Sequence, residues 1–288
     1  MTAGYRTITV TPITDQIGAE IGGVDLAREL SQETFAEIHR AFLDHLVVFF
    51  RDQTLTPDRQ IAFARCFGPL IVDPFMKSPE GRPELMVVIK DAQERFAFGE
   101  GWHTDSTFLE KPPLGSFLYA LDVPPRGGDT LFSNQYLAFE TLSPGSRRML
   151  DGMKTIHGAA SYNQSITAGK FGADRTMKLR ADAAMNAAME GEVEHPAVRT
   201  HPESGRKALF VNRAYTLRFK DWTAGESQPL LNHLCAHSER PEFTCRFRWT
   251  PGTLALWDNR CALHNPINDY HGHRRVMHRV VVQGDRPF

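Results

Sequence analysis

Five consecutive apolar residues, Leu46-Val47-Val48-Phe49-Phe50, constrain this chain more than any other stretch of it. The run is too short for a helix, and its β-branched and aromatic side chains suit an extended strand covered on both faces. Structure must therefore lie above and below that strand. On its N-terminal side Ser31 is a good helix cap, and Phe35, Ile38 and Phe42 recur at helical spacing up to about His45. On its C-terminal side Thr56-Pro57 opens a second helix, with threonine as cap and proline in the first turn, and Gly68 ends it.

The rest of the chain reads mainly as short strands. Ile8-Thr9-Val10 and Ile17 to Val24 alternate, and Leu85–Lys90 and Leu114–Asp122 are strand-like. A Pro- and Gly-rich turn from Pro124 to Asp129 then leads into Thr130-Leu131-Phe132. Ser143-Pro144 starts a helix carrying Met149, Leu150 and Met153, and Thr223 with Glu226 forms a capping box ahead of Leu230, Leu231 and Leu234. Three more strand-like runs follow, Phe243–Trp249, Thr253–Trp257 and Val276–Gln283. No repeat, linker or G-x-G-x-x-G fingerprint interrupts the pattern, so one domain over residues 1–288 is expected, mainly β with helices and built on a jelly-roll core. Residues 159–194 differ in being polar, Ala- and Met-rich and weakly periodic, which reads as a mobile insertion or lid, or alternatively as a pair of surface helices.

Charge excludes some functions. Thirty-three Lys plus Arg against 34 Asp plus Glu leave a net charge of -1, which gives no global field to draw the protein to nucleic acid or a membrane surface. The opening residues lack the apolar core of a signal peptide and no apolar run approaches a membrane span, so a cytoplasmic protein is expected. Cys66, Cys235, Cys245 and Cys261 form no C-x-x-C pair and read as buried thiols.

Chemistry concentrates in a few places. His103 and Asp105 stand two apart in Trp102-His103-Thr104-Asp105, and on an extended segment both project to the same side, where they could bind one cation. Alone, such a triplet also suits a plain structural role. His264, after the run Leu254 to Arg260 at what reads as a strand-to-loop junction, is the best third ligand. Two histidines and one carboxylate on one face of an octahedron hold Fe(II) and leave three sites open. His39, His45, His233 and His237 fall on helices, His195 precedes a proline, His201 does too, and His271 and His273 lie on a polar turn. Arg275 and Arg279 share one face of the last strand, about 13 Å apart, and His278 faces the other side. Their guanidinium forks suit carboxylates, although surface salt bridges would use them equally well.

Taken together, His103-x-Asp105, the turn Gly127-Gly128-Asp129-Thr130-Leu131, and Trp257-Asp258-Asn259-Arg260 with His264, Asp269-Tyr270, Arg275 and Arg279 resemble the TauD/TfdA family of Fe(II)- and 2-oxoglutarate-dependent dioxygenases. The segments Ile17 to Leu26 and Val47 to Gln53 share the resemblance, which covers nearly the whole chain and is weakest over 159–194. It implies a double-stranded β-helix (jelly roll), with Fe(II) held by His103, Asp105 and His264. It also implies that 2-oxoglutarate meets Arg275 and Thr130, that O2 is the second cosubstrate, and that Arg279 meets the anionic group of the primary substrate. The implied reaction releases succinate and CO2 and hydroxylates a C–H bond. The carboxylate of Asp105, where related halogenases have a small residue, favours hydroxylation over halogenation. A non-oxidative metal-binding jelly-roll protein is the competing reading, and Arg275 speaks against it because a buried cation has little purpose there without a dicarboxylate. Dimers or tetramers are usual in the family.

Substrate expectations follow from departures within the resemblance. Taurine-acting members carry a histidine before a proline where this chain has Asp73, and an asparagine four residues before the first metal histidine where it has Gly99. Phe75 and Met76 would give an apolar wall, as in the aryloxyalkanoate-acting members. The expected substrate is an anionic organic acid of aryloxyalkanoate or organosulfonate type, bulkier and more apolar than taurine, with taurine itself as the alternative.

Overall fold

A computed structural model of the chain describes residues 4–72, 78–159 and 190–288. In chain order its strands are β1 (Thr9–Pro12), β2 (Ala19–Gly22), β3 (Val47–Phe50), β4 (Met86–Lys90), β5 (Gly115–Asp122), β6 (Thr130–Asn134), β7 (Lys154–Gly158) and β8 (Glu192–Pro196). There follow β9 (Val198–Thr200), β10 (Lys207–Leu209), β11 (Thr216–Phe219), β12 (Thr244–Phe247), β13 (Leu254–Asp258), β14 (Ala262–Pro266) and β15 (Arg275–Val282). The main sheet runs β1-β2-β3-β13-β5-β15-β4, and a smaller one, β12-β6-β14, packs over its inner face. This is the two-layered jelly roll expected, with non-consecutive strands brought side by side.

The apolar run Leu46–Phe50 organises both layers. All four residues of β3 are buried, and the strand lies between β2 and β13. Val48 and Phe50 point outward to the helices α1 (Gln32–His45) and α2 (Pro57–Arg65), whose Ile38, Phe42, Ile61 and Phe63 fill one core. Phe49 points inward, where its ring stacks on Phe247 at 3.6 Å beside Phe132 and Trp257. Burying each such aromatic contributes about 1.5–3 kcal/mol. Ser31 and Thr56 accept hydrogen bonds from the first turns of these helices, as their positions predict. Helix α1 ends at Leu46, whose φ of 65° is left-handed. That conformation costs a branched residue about 1 kcal/mol, offset here by complete burial of its side chain.

Beyond the sandwich, β11-β7-β8 and the hairpin β9/β10 form a further layer, covered by the helix Ala224–Ser238. The capping box Thr223/Glu226 is present at its start, with Glu226 reaching back to the Thr223 N–H at 2.9 Å. Some expectations need correction. His264 lies in the middle of β14 and not at a strand end, because Ala262–Pro266 pairs fully with β6. Cys66 is exposed, at the end of α2, whereas Cys235, Cys245 and Cys261 are buried and free. Of the expected insertion, residues 160–189 lie outside the described residues, but Glu192–Glu194 belong to β8 and pair with β7. Among the described residues no helix is long and apolar enough to cross a membrane.

Candidate metal and cosubstrate site

Two histidines far apart in sequence are tied to each other through their backbones. His103 forms an isolated antiparallel bridge with His264, each donating its N–H to the other's carbonyl, at 3.0 and 2.9 Å. Directly opposed residues in such a pair project to the same face, and the two rings lie 4.1 Å apart. His103 Nδ1 donates to the Gly101 carbonyl at 2.8 Å, which leaves Nε2 with a free lone pair. Gly101 is itself anchored, since its N–H donates to the side chain of Asn265, the neighbour of His264. Burial pushes both imidazoles below their ordinary pKa, so both are neutral donors.

Asp105 completes the group. It stands in a turn, not on extended backbone, yet its Oδ1 lies 3.7 Å from Nε2 of both His103 and His264. Its other oxygen accepts from Arg279 at 2.6 Å and from the Ser116 hydroxyl at 2.8 Å. Against the desolvation that burial imposes, the Arg279 charge above all, with the Ser116 hydrogen bond, holds this carboxyl well below the usual range. Asn259 supports the arrangement. Its amide donates to Ser116 Oγ, and its oxygen accepts from Trp257 Nε1 at 3.0 Å. Three buried ligand atoms with unused lone pairs, two imidazole nitrogens and one carboxylate oxygen, suit Fe(II) or a similar divalent ion.

Beside these residues is a cavity lined by Thr130, Trp249, Arg275 and Arg279 among others. Arg275 is buried on β15, its guanidinium 5.6 Å from the Trp249 ring, and its Nε and Nη2 have no hydrogen-bond acceptor among the described residues. Desolvation pushes its pKa down. Trp249 Nε1 donates to Thr130 Oγ1 at 3.0 Å and orients that hydroxyl. Sequence reasoning missed Lys90, which sits directly across from Arg275 in the β4/β15 register. Its Nζ is buried without a hydrogen-bond partner among the described residues, 4.4 Å above the Tyr270 ring. Only the alternation Met86, Val88, Lys90 along β4 could have indicated an inward lysine. A buried arginine and lysine side by side fit a bound dicarboxylate.

Arg279 is already engaged with Asp105 and Ser116, and its buried Nε lacks a partner among the described residues. Gly99 adopts a φ of +76°, and a Cβ there would stand 3.3 Å from the His103 ring. Its lack of a side chain thus leaves open the space next to a ligand. Asp73, Phe75 and Met76 lie outside the described residues.

The fold and the site together define a jelly-roll metalloenzyme with a place for a dicarboxylate. The chain belongs to the TauD/TfdA family: residues 9–281 match the model described as taurine catabolism dioxygenase TauD, TfdA family. It is 34% identical to an alpha-ketoglutarate-dependent sulfate ester dioxygenase of Pseudomonas putida, over 97% of this chain and 91% of that one. It is 32% identical to the alpha-ketoglutarate-dependent 2,4-dichlorophenoxyacetate dioxygenase of Cupriavidus pinatubonensis, over 96% and 98%. A crystal structure of a taurine dioxygenase from Burkholderia xenovorans superimposes with a TM-score of 0.81, at 35% identity, over 98% of this chain and 93% of that one.

Proposed function

We propose that this chain is a dioxygenase using Fe(II), 2-oxoglutarate and O2 to hydroxylate an anionic organic acid, with succinate and CO2 as coproducts. The observation that carries the reading is the buried Arg275, with two nitrogens lacking acceptors among the described residues, in the same cavity as three converging ligand atoms. A group so placed calls for an anion, since an unpaired buried cation is strongly disfavoured.

His103, Asp105 and His264 would hold the iron, and Arg275 would bind the distal carboxylate of 2-oxoglutarate, helped by the Thr130 hydroxyl. When bound, the iron couples reduction of O2 to decarboxylation of 2-oxoglutarate and oxidation of a substrate C–H bond. The protein's part is positional. The Gly101 carbonyl keeps the His103 proton on Nδ1, so that Nε2 can bind a metal. Arg279 and Ser116 occupy one oxygen of Asp105 and leave the other for the metal. The free Nε of Arg279 is available to an anionic head group. The bare Gly99 beside His103 favours substrates bulkier than taurine, of aryloxyalkanoate, sulfate ester or sulfonate type. A cytoplasmic dimer or tetramer is the accompanying expectation.

The test is substrate-dependent succinate formation with Fe(II), 2-oxoglutarate and O2 over a panel of aryloxyalkanoates, alkyl sulfates, longer sulfonates and taurine. Turnover with a bulky acid above that with taurine is expected. Taurine as the best substrate would defeat the substrate reading alone, and no succinate with any acid would count against the reaction itself.

A further inference from the structure

A second buried network stands behind the metal carboxylate. Asp105 is followed by Ser106, whose φ of 48° is left-handed, a conformation that a serine adopts only when something holds it there. The turn closes with the Leu109 N–H on the Ser106 carbonyl at 3.0 Å. On the near side it is fixed by Thr104, whose hydroxyl donates to the Ala262 carbonyl of β14. On the far side everything converges on Thr107. His195 Nε2 lies 2.9 Å from the Thr107 carbonyl and 3.1 Å from that of Leu109. Both are acceptors, so this nitrogen carries the proton and donates to both. The Thr107 hydroxyl accepts from Asn212 Nδ2 at 3.1 Å and lies 3.0 Å from His157 Nδ1.

The proton directions are consistent along the whole chain of contacts. Asn212 donates to Thr107 Oγ1, Thr107 donates to His157 Nδ1, and His157 Nε2 donates to Thr155 Oγ1 at 2.9 Å. Thr155 in turn donates to the His195 carbonyl. Thr107, His157, His195 and Asn212 are each no more than 2% exposed, and β7 and β8 hold the two histidines in register, with Thr155 opposite His195. None of the four lines the cavity. Two neutral histidines, a threonine and an asparagine buried together need a reason beyond packing, since an apolar set of the same volume would suit the interior better.

We propose that His195, His157 and Asn212 are positioning residues that hold Thr107, and through the strained Ser106 keep the Asp105 carboxylate facing the two histidine ligands. This inference rests on the metal site proposed above. If Thr107 were released, Ser106 could relax to an ordinary backbone conformation. The Asp105 peptide would rotate with it, and Oδ1 would leave its place 3.7 Å from both imidazoles.

The test is anaerobic titration of the full chain with Fe(II) at saturating 2-oxoglutarate, read from the visible charge-transfer band, together with thermal melting of the metal-free protein. Thr107→Val keeps the shape and removes the hydroxyl. It should raise the Fe(II) Kd about tenfold or more, the usual effect of losing a hydrogen bond that orients a metal ligand, while Thr107→Ser stays within about threefold. His195→Gln, which keeps an N–H donor at that reach, should likewise bind far better than His195→Leu. A merely structural network would lower melting temperatures and leave the Kd of the folded protein unchanged. Wild-type Fe(II) affinity in folded Thr107→Val overturns the proposal. If that variant does not fold, the two His195 variants decide, and equal affinities in them overturn it. His103→Ala separates the two readings. Loss of the band in that variant with no effect at Thr107 removes the clamp alone, and an unchanged band removes the metal site and the clamp with it.

Discussion

Among the described residues, two buried groups have the composition of a metal site: His103, Asp105 and His264, and His201, Asp258 and Cys261. Their wiring is opposite. In the first, each histidine presents Nε2 to one shared carboxylate oxygen, while the other oxygen takes the bonds from Arg279 and Ser116. In the second, His201 Nδ1 accepts from the Glu203 and Ser204 N–H groups, which puts its proton on Nε2, where it donates to Asp258 at 3.1 Å. Asp258 is filled by Arg260 as well, with Nε on one oxygen at 2.8 Å and Nη2 on the other at 2.7 Å. Against desolvation, Arg260 and His201 hold the Asp258 carboxyl well below its ordinary range. Burial, with Asp258 adding to it, pushes the Cys261 thiol far up, so it stays protonated. The first group has lone pairs to give, and the second is a closed ion-pair network that joins β13 to the loop around Glu203. Proximity and residue type therefore do not tell the two groups apart; unused lone pairs do.

The contrast can be broken from either side. His103→Ala should remove the Fe(II)/2-oxoglutarate charge-transfer band entirely at metal concentrations that saturate the wild type, whereas His201→Ala should leave the band in whatever protein folds. Arg260→Met should strip Asp258 of its cation and destabilise the fold by about 3–5 kcal/mol, seen as an earlier urea midpoint, with metal affinity of the folded fraction retained. A band lost there would mean that the closed network also serves the site. Arg275→Ala should raise the apparent constant for 2-oxoglutarate at least ~30-fold, or roughly 2–5 kcal/mol, with the metal still bound. Lys90→Met should weaken the same constant about tenfold, through loss of a positive charge next to Arg275 in the sheet. The smallest effect belongs to Cys261→Ala, which should change stability by about 1 kcal/mol and Fe(II) affinity not at all.

Most of the fold was legible because its signals are local. Ser31, Thr56 and the Thr223/Glu226 pair cap the helices they announce, and the β-branched run at Val47–Phe50 is the doubly covered strand it resembles. The spacing of His103 and Asp105 also shows on the page, although a turn and not a strand brings them together. His195 and His201 read as ordinary residues before prolines, since their partners Thr107 and Asp258 come from elsewhere in the chain. Lys90 and Ser116 escaped notice for the same reason: nothing in their own neighbourhoods says what they will face. Arg279 was read as an anion anchor from its position on β15, but its first partner is Asp105, a pairing that only the folded sheets create.

The mutual hydrogen bonds between His103 and His264 have a consequence for redesign. The separation of the two imidazole-bearing Cα atoms is set by peptide geometry, which is common to every sequence, and not by the bulk of the side chains around them. Leu118 and Val88 line the same cavity without taking part in that bridge. The shape of the chamber can thus be varied while the inorganic centre keeps its spacing, and a library that alters those positions explores new substrates on a fixed anvil.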